Sequence, residues 1–278
     1  MKSRLILFLV AGLISFSGLS QQADKSLFQF DNEKYDMECF LIGMLNEYMG
    51  YQRTFNSSNF WHQKVDWTST KGELKYLIFI DSLFYLDYSD ITIVNNGASF
   101  RLYSPTLSLK IDDYYTYVAT GTRSMEGDTV YSGLLKKEKF ETEKQKLSYL
   151  LGAYMRYGRN KAAISAYITM LKEENLLDEN KIYENANLIT MSNASTKLSF
   201  CAEILTHFEC KDVEYVYRNS LPAGNFLFFA PSDKMPEVIC EAECLNRQIE
   251  TINTDQVNFT RDGSKFIWDG NREPPARQ

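Results

Sequence analysis

Apolar residues recur at helical spacing from Lys34 to Tyr48, where Met37, Phe40, Leu41, Met44, Leu45 and Tyr48 fall on one face and Gly50 offers a stop. Glu73 to Tyr88 is dense in Leu, Ile, Phe and Tyr and predicts a mostly buried helix. Between these helices, Tyr51 to Trp67 shows no period. The pattern then turns to strands. Ile91–Val94 and Ala98–Tyr103 flank Asn95-Asn96-Gly97, a strong hairpin signal. Leu107, Leu109 and Ile111 alternate with Thr106, Ser108 and Lys110, which predicts a half-buried strand. Tyr114–Ala119 predicts another, completing an antiparallel meander. Thr120 to Gly133 is small and polar, and Lys136-Lys137-Glu138-Lys139 is a charge run, so a boundary between two units is expected here.

The second half opens on a capping box, Thr142 with Gln145, ahead of a stripe of Leu147, Leu150, Leu151, Tyr154 and Met155. Ile164, Ala166, Ile168 and Met170 alternate with polar neighbours and predict a strand. Asn187–Met191 predicts the next strand, and Leu198, Cys201, Ala202, Leu205 and Phe208 line a helix. Strands follow at Val213–Arg218 and Phe226–Ala230. A last helix carries Val238, Ala242, Leu245, Ile249 and Ile252. Asp262-Gly263 joins Val257–Arg261 to Lys265–Trp268 as a second hairpin. The fold class is therefore α+β: N-terminal helices with an antiparallel meander over 21–130, then a βαββαβ unit over 141–269, the order a ferredoxin-like sandwich uses. Residues 270–278 read as a frayed tail. No long-period repeat is evident.

The start of the chain adds a destination. A basic Met1–Arg4, an uncharged Leu5–Leu19 and small residues at Gly18 and Ser20 form a signal-peptide pattern over 1–20, with cleavage expected after Ser20. A secreted or periplasmic soluble protein, with no later transmembrane segment, is expected from it. In such a compartment Cys201, Cys210, Cys240 and Cys244 become disulfide candidates, with Cys210 to Cys240 or Cys244 the favoured bridge, and Cys39 is left over.

Composition narrows the chemistry. The 278 residues are 44% hydrophobic and 24% charged, with a net charge of −6, which argues against a general phosphate-backbone binder and predicts no nucleic-acid partner. The chain has two His, and no nucleophile-elbow, zinc-protease, Walker or dinucleotide motif. His207 reads as an exposed helical residue. No metal and no cofactor is expected, because Cys201 and Cys210 lack zinc-knuckle spacing. Arg53, Trp61, His62 and Trp67 in the aromatic loop suit sugar or protein recognition. The expectation is an exported, non-enzymatic ligand- or partner-binding protein with an extracytoplasmic protein or saccharide partner. The alternative is an exported hydrolase with a site assembled from carboxylates such as Asp81, Asp87, Asp112 and Asp113.

Overall fold

The structure, a computed structural model, describes residues 30–46, 52–54, 64–84, 87–95, 97, 99–123, 127–183, 185–192, 196–220, 223–254, 258–259 and 266–267. Helix α1 (Met37–Met44) begins where Asp36 accepts the backbone N–H of Cys39 at 2.8 Å. Strands β1 (Gln52–Thr54) and β2 (Lys64–Thr68) follow, then α2 (Leu74–Phe84), β3 (Thr92–Asn95) and β4 (Phe100–Tyr103). The hairpin expected at Asn-Asn-Gly forms. β3 and β4 pair antiparallel from Thr92↔Tyr103 to Asn95↔Phe100, and Gly97 supplies the left-handed turn at φ 82°.

The alternating segment after it is a helix, α3 (Pro105–Asp112), not a strand. Local start signals decide this. Ser104 accepts the N–H of Leu107 and Pro105 occupies the first turn, where its missing donor costs nothing. Leu107 and Ile111, four apart, are buried, while the intervening Leu109 is 68% exposed. β5 (Tyr115–Arg123) and β6 (Thr129–Leu135) then pair antiparallel, so the polar stretch expected as a linker is largely strand. β1 joins their sheet on the far side of β6.

The expected capping box opens α4 (Glu143–Tyr157). The second misread alternation, Ile164 to Met170, lies in helix α5 (Lys161–Glu173), capped by Asn160. β7 (Asn187–Met191), α6 (Thr196–His207), β8 (Lys211–Arg218), β9 (Gly224–Ala230) and α7 (Pro236–Glu250) complete the body. β10 (Asn258–Phe259) and β11 (Phe266–Ile267) pair with each other in a separate two-stranded sheet; their Asp262-Gly263 turn lies outside the described residues. The chain is an α+β protein of seven helices and antiparallel sheets among the described residues. The C-terminal sheet has three strands in the order β7-β9-β8.

A repeat emerges that residue spacing does not disclose. Helix–strand–helix–strand–strand–helix occurs as α1-β2-α2-β3-β4-α3 and again as α4-β7-α6-β8-β9-α7, with β1 and α5 as additions. The sheets match as well: β2-β4-β3 and β7-β9-β8 each place their last strand in the centre. One hydrophobic core gathers residues from both units, including Phe40, Phe79, Tyr149, Leu198, Phe229 and Leu245. β7 and β9 are buried on both faces. Ile189, Met191, Leu227 and Phe229 enter that core, while Leu188, Phe226 and Phe228 turn outward into a smaller cluster under Ile164 and Leu171 of α5.

Candidate functional site at the crossing of two helices

Helices α1 and α4 pack closely enough that backbone meets backbone. A Cβ on Gly43 would stand 2.0 Å from the carbonyl oxygen of Tyr149, and one on Gly152 would stand 2.0 Å from that of Phe40. The contacts are reciprocal. Each glycine faces the residue three before and the residue one after the other glycine, as a local twofold axis requires. Glycine here supplies close approach rather than an unusual φ.

The crossing brings the C-terminal ends of α1 and α4 together, and charge collects there. The last carbonyls of a helix lack intrahelical donors and carry the negative end of its dipole. At the end of α1, Lys197 of α6 donates to the carbonyls of Gly43 at 3.3 Å and Leu45 at 2.7 Å. Arg156, from the last turn of α4, donates to Met44 O at 3.1 Å, and the neighbouring Tyr157 hydroxyl donates to Leu45 O at 2.8 Å. Lys197 is buried at 1% exposure.

Asp66 of β2 neutralises Arg156 through a direct ion pair, and its other oxygen accepts the backbone N–H groups of Asn46 at 3.1 Å and Trp67 at 2.8 Å. Burial pushes the Asp66 carboxyl up from the ordinary carboxylate range, against the pull of Arg156 and the two N–H donors. Burial also opposes the Arg156 charge, but Asp66 and then Tyr157 outweigh it and hold the guanidinium protonated. Glu73 stands 3.9 Å from the second Arg156 nitrogen.

A second polar group lies against β1. Arg53, 2% exposed, donates to Asp112 of α3 at 3.2 Å and to the Lys64 carbonyl, while Tyr117 donates to Asp112 at 2.8 Å. Three buried polar atoms here, Arg53 Nη2, Thr54 Oγ1 and Tyr115 Oη, have no hydrogen-bond partner among the described residues.

Of the loop residues singled out by sequence, Arg53 therefore faces the interior and Trp67 is half-buried in β2, while Trp61 and His62 lie outside the described residues. Of the four carboxylates, Asp112 is engaged by Arg53 and Asp113 is exposed at the end of α3. Among the described residues, no group of three or more His, Cys, Asp or Glu is arranged to hold a metal. A cavity of about 190 Å³ opens beside Tyr183, Asn185, Asp212 and Phe228, where Lys181 pairs with both Asp212 and Glu214.

Comparison with known proteins adds little at this level of likeness. No family model matches the chain, and no curated protein does. Among solved structures, full-length DUF199/WhiA from Thermatoga maritima matches over 81% of this chain at 12% identity and a TM-score of 0.32. This match covers 61% of the WhiA chain, so the present sequence spans less than two thirds of that protein. The N-terminal LAGLIDADG domain of DUF199/WhiA matches over 81% of this chain and 98% of its own, at 11% identity and a TM-score of 0.22. Likeness this low carries no activity from one protein to the other. The exported binder and its hydrolase alternative, the secreted or periplasmic location, the extracytoplasmic protein or saccharide partner and the exclusion of nucleic acid find no support in these matches, both of them to DUF199/WhiA, and are withdrawn. The signal-like segment lies outside the described residues, and Arg53 is committed to the interior. Among the described residues no helix is long and apolar enough to cross a membrane.

The expected disulfides are also corrected: all five cysteines are free thiols. Cys210 approaches Ser232 at 3.9 Å, and Cys244 accepts from Gln248 on its own helix at 3.7 Å, so each has a different neighbour from the bridge partner expected. Cys39 and Cys201 are core residues. Burial pushes the Cys201 thiol up to about 12, and burial followed by Glu243 does the same to the Tyr154 hydroxyl. In the native protein an alkylating reagent should modify exposed Cys240 first and reach Cys39 and Cys201 only on unfolding; rapid native labelling of Cys201 would contradict the packing.

The same shift sets an alkaline limit. The unfolded Cys201 thiol ionises near its ordinary value of 9, while the folded one keeps its proton to about 12. The stabilising contribution is complete below pH 9 and is lost as pH rises toward 12. The thiol alone gives a slope of about 1.4 kcal/mol per pH unit once the unfolded chain has lost the proton. Denaturant titrations at stepped pH should show this loss, and Cys201→Ala should flatten it.

Proposed function

We propose that this chain is a non-catalytic structural scaffold, in which two like halves are locked through one helix crossing. The observation that carries this reading is the use made of the buried charges. Lys197 and Arg156 are directed at the carbonyl end of α1, and Asp66 neutralises Arg156 while holding two backbone N–H groups. Groups of these types beside two helix ends would suit acid–base work if they faced a cleft. Here they complete the backbone of the helix that crosses α4, and their surroundings are core.

Stability distinguishes a structural role from a catalytic one. Residues kept for chemistry are commonly held at a cost, so replacing them often stabilises a protein. Residues that satisfy buried carbonyls do the reverse, at about 1–3 kcal/mol for each group left unpaired. Lys197→Met, which keeps length and removes the donor, leaves Leu45 O to the Tyr157 hydroxyl but takes the side-chain donor from Gly43 O, and should lower the thermal midpoint at a cost of about 1–3 kcal/mol. A raised midpoint for Lys197→Met would overturn the scaffold reading.

A further inference from the structure

Cys240 and Cys244 stand one turn apart on α7, on the side away from its buried stripe of Val238, Ala242, Leu245 and Ile249. Cys240 is exposed and Cys244 half-buried, whereas Cys39 and Cys201 lie in the core, where free cysteine is usually found. A disulfide does not explain the pair. Side chains four apart on a helix have Cβ atoms about 5–6 Å apart, while a disulfide needs them at about 3.5–4.5 Å. As long as α7 keeps its turns, the two thiols stay a dithiol. The same spacing suits a bridging atom. Two metal–sulfur bonds of about 2.3 Å laid end to end span about 4.6 Å, a separation that sulfurs one turn apart reach from staggered rotamers.

We propose that Cys240 and Cys244 form a two-coordinate site for a soft monovalent cation, Cu(I), held in line between their sulfurs. Donor number and donor type select this ion. Among the described residues no third His, Cys, Asp or Glu joins the pair in a metal-holding group, so the four ligands of a zinc site are not assembled. Soft thiolates favour Cu(I) among the first-row metals. Gln248, on the next turn, donates its amide N–H to Cys244 Sγ at 3.7 Å, a hydrogen bond that strengthens when the sulfur is a thiolate. Glu241 and Glu243 flank the pair and outnumber Arg247, so the local potential draws a cation. Each thiol releases its proton as its sulfur bonds the ion. Two protons leave, one Cu(I) enters, no electron is transferred, and the complex carries one net negative charge. The site is separate from the helix crossing, and it departs from the expectation of no metal, which rests on the spacing of Cys201 and Cys210.

The test uses the full chain, kept reduced by ascorbate without added thiols and free of oxygen, with Cu(I) supplied as its acetonitrile complex. Titration of the unaltered protein should raise a thiolate-to-copper absorption band that saturates at one equivalent. Cys240→Ser and Cys244→Ser should each weaken binding at least about a hundredfold, because the ion loses its chelate. Cys210→Ser should leave binding unchanged. In the unaltered protein one equivalent of Cu(I) should also shield both Cys240 and Cys244 from alkylation, a measurement that decides the matter even if a variant fails to fold. No band with the unaltered protein, full binding by either single variant, or alkylation of Cys240 and Cys244 indifferent to Cu(I) would each overturn the proposal.

Discussion

Gly152→Ala should destabilise the protein by about 3 kcal/mol or more, although the same change in an open helix normally stabilises by up to about 1 kcal/mol. The sign reverses because the new methyl would lie 2.0 Å from Phe40 O, 2.8 Å from Met44 N and 3.0 Å from Phe40 C, all backbone atoms of α1. No rotamer relieves a clash with a main chain. The helices must separate by roughly an ångström, and the packing between them is lost along the crossing. Gly43→Ala should behave alike, since its methyl meets Tyr149 O at the same 2.0 Å. Gly72→Ala is the control: nothing lies within 4 Å of its Cβ, so its effect should stay within about 1 kcal/mol. Urea midpoints of the three variants test the argument, and a Gly152→Ala midpoint equal to that of Gly72→Ala would refute the close approach.

The second large effect is expected at the buried ion pair. Asp66→Ala leaves the Arg156 guanidinium in the core with Glu73, 3.9 Å away and half-exposed, as its remaining carboxylate, and removes the acceptor of the Asn46 and Trp67 N–H groups. Breaking one side of such a pair costs about 3–5 kcal/mol, mostly as the penalty of an uncompensated charge. Replacing both partners with apolar groups avoids that penalty. Asp66→Leu with Arg156→Met should therefore be more stable than Asp66→Ala alone. Equal losses in the single and double variants would mean that the shape of the pocket, rather than its charge, governs the site.

Residue pattern conveys this fold unevenly. The α1 stripe, the Thr142–Gln145 box and the Asn-Asn-Gly turn each act over a few residues, and each produced its element. The two failures, at Leu107–Ile111 and Ile164–Met170, share one cause. A short period-two run also contains residues four apart, and the caps at Ser104 and Asn160 tip it into a helix. Asp66, Arg156 and Lys197 gave no such signal, because their burial depends on contacts between segments far apart in the chain. A faint trace of the crossing does exist in the aromatic–Leu–aliphatic–Gly tetrads Phe40-Leu41-Ile42-Gly43 and Tyr149-Leu150-Leu151-Gly152. Their shared spacing becomes meaningful once the two glycines are seen face to face.

The crossing also has a consequence for how the chain reaches its native state. Its contacts join residues near position 40 to residues near position 150, so closing them requires the ordering of a long intervening loop. Each unit's own hairpin, β3 with β4 or β8 with β9, closes over a far shorter span. The hairpins are therefore expected to form early and the glycine contact late, after the rate-limiting barrier. Alterations at Gly43 and Gly152 should consequently hasten unfolding while leaving the refolding rate nearly unchanged. The seam between the halves thus governs how long the folded state lasts more than how quickly it forms.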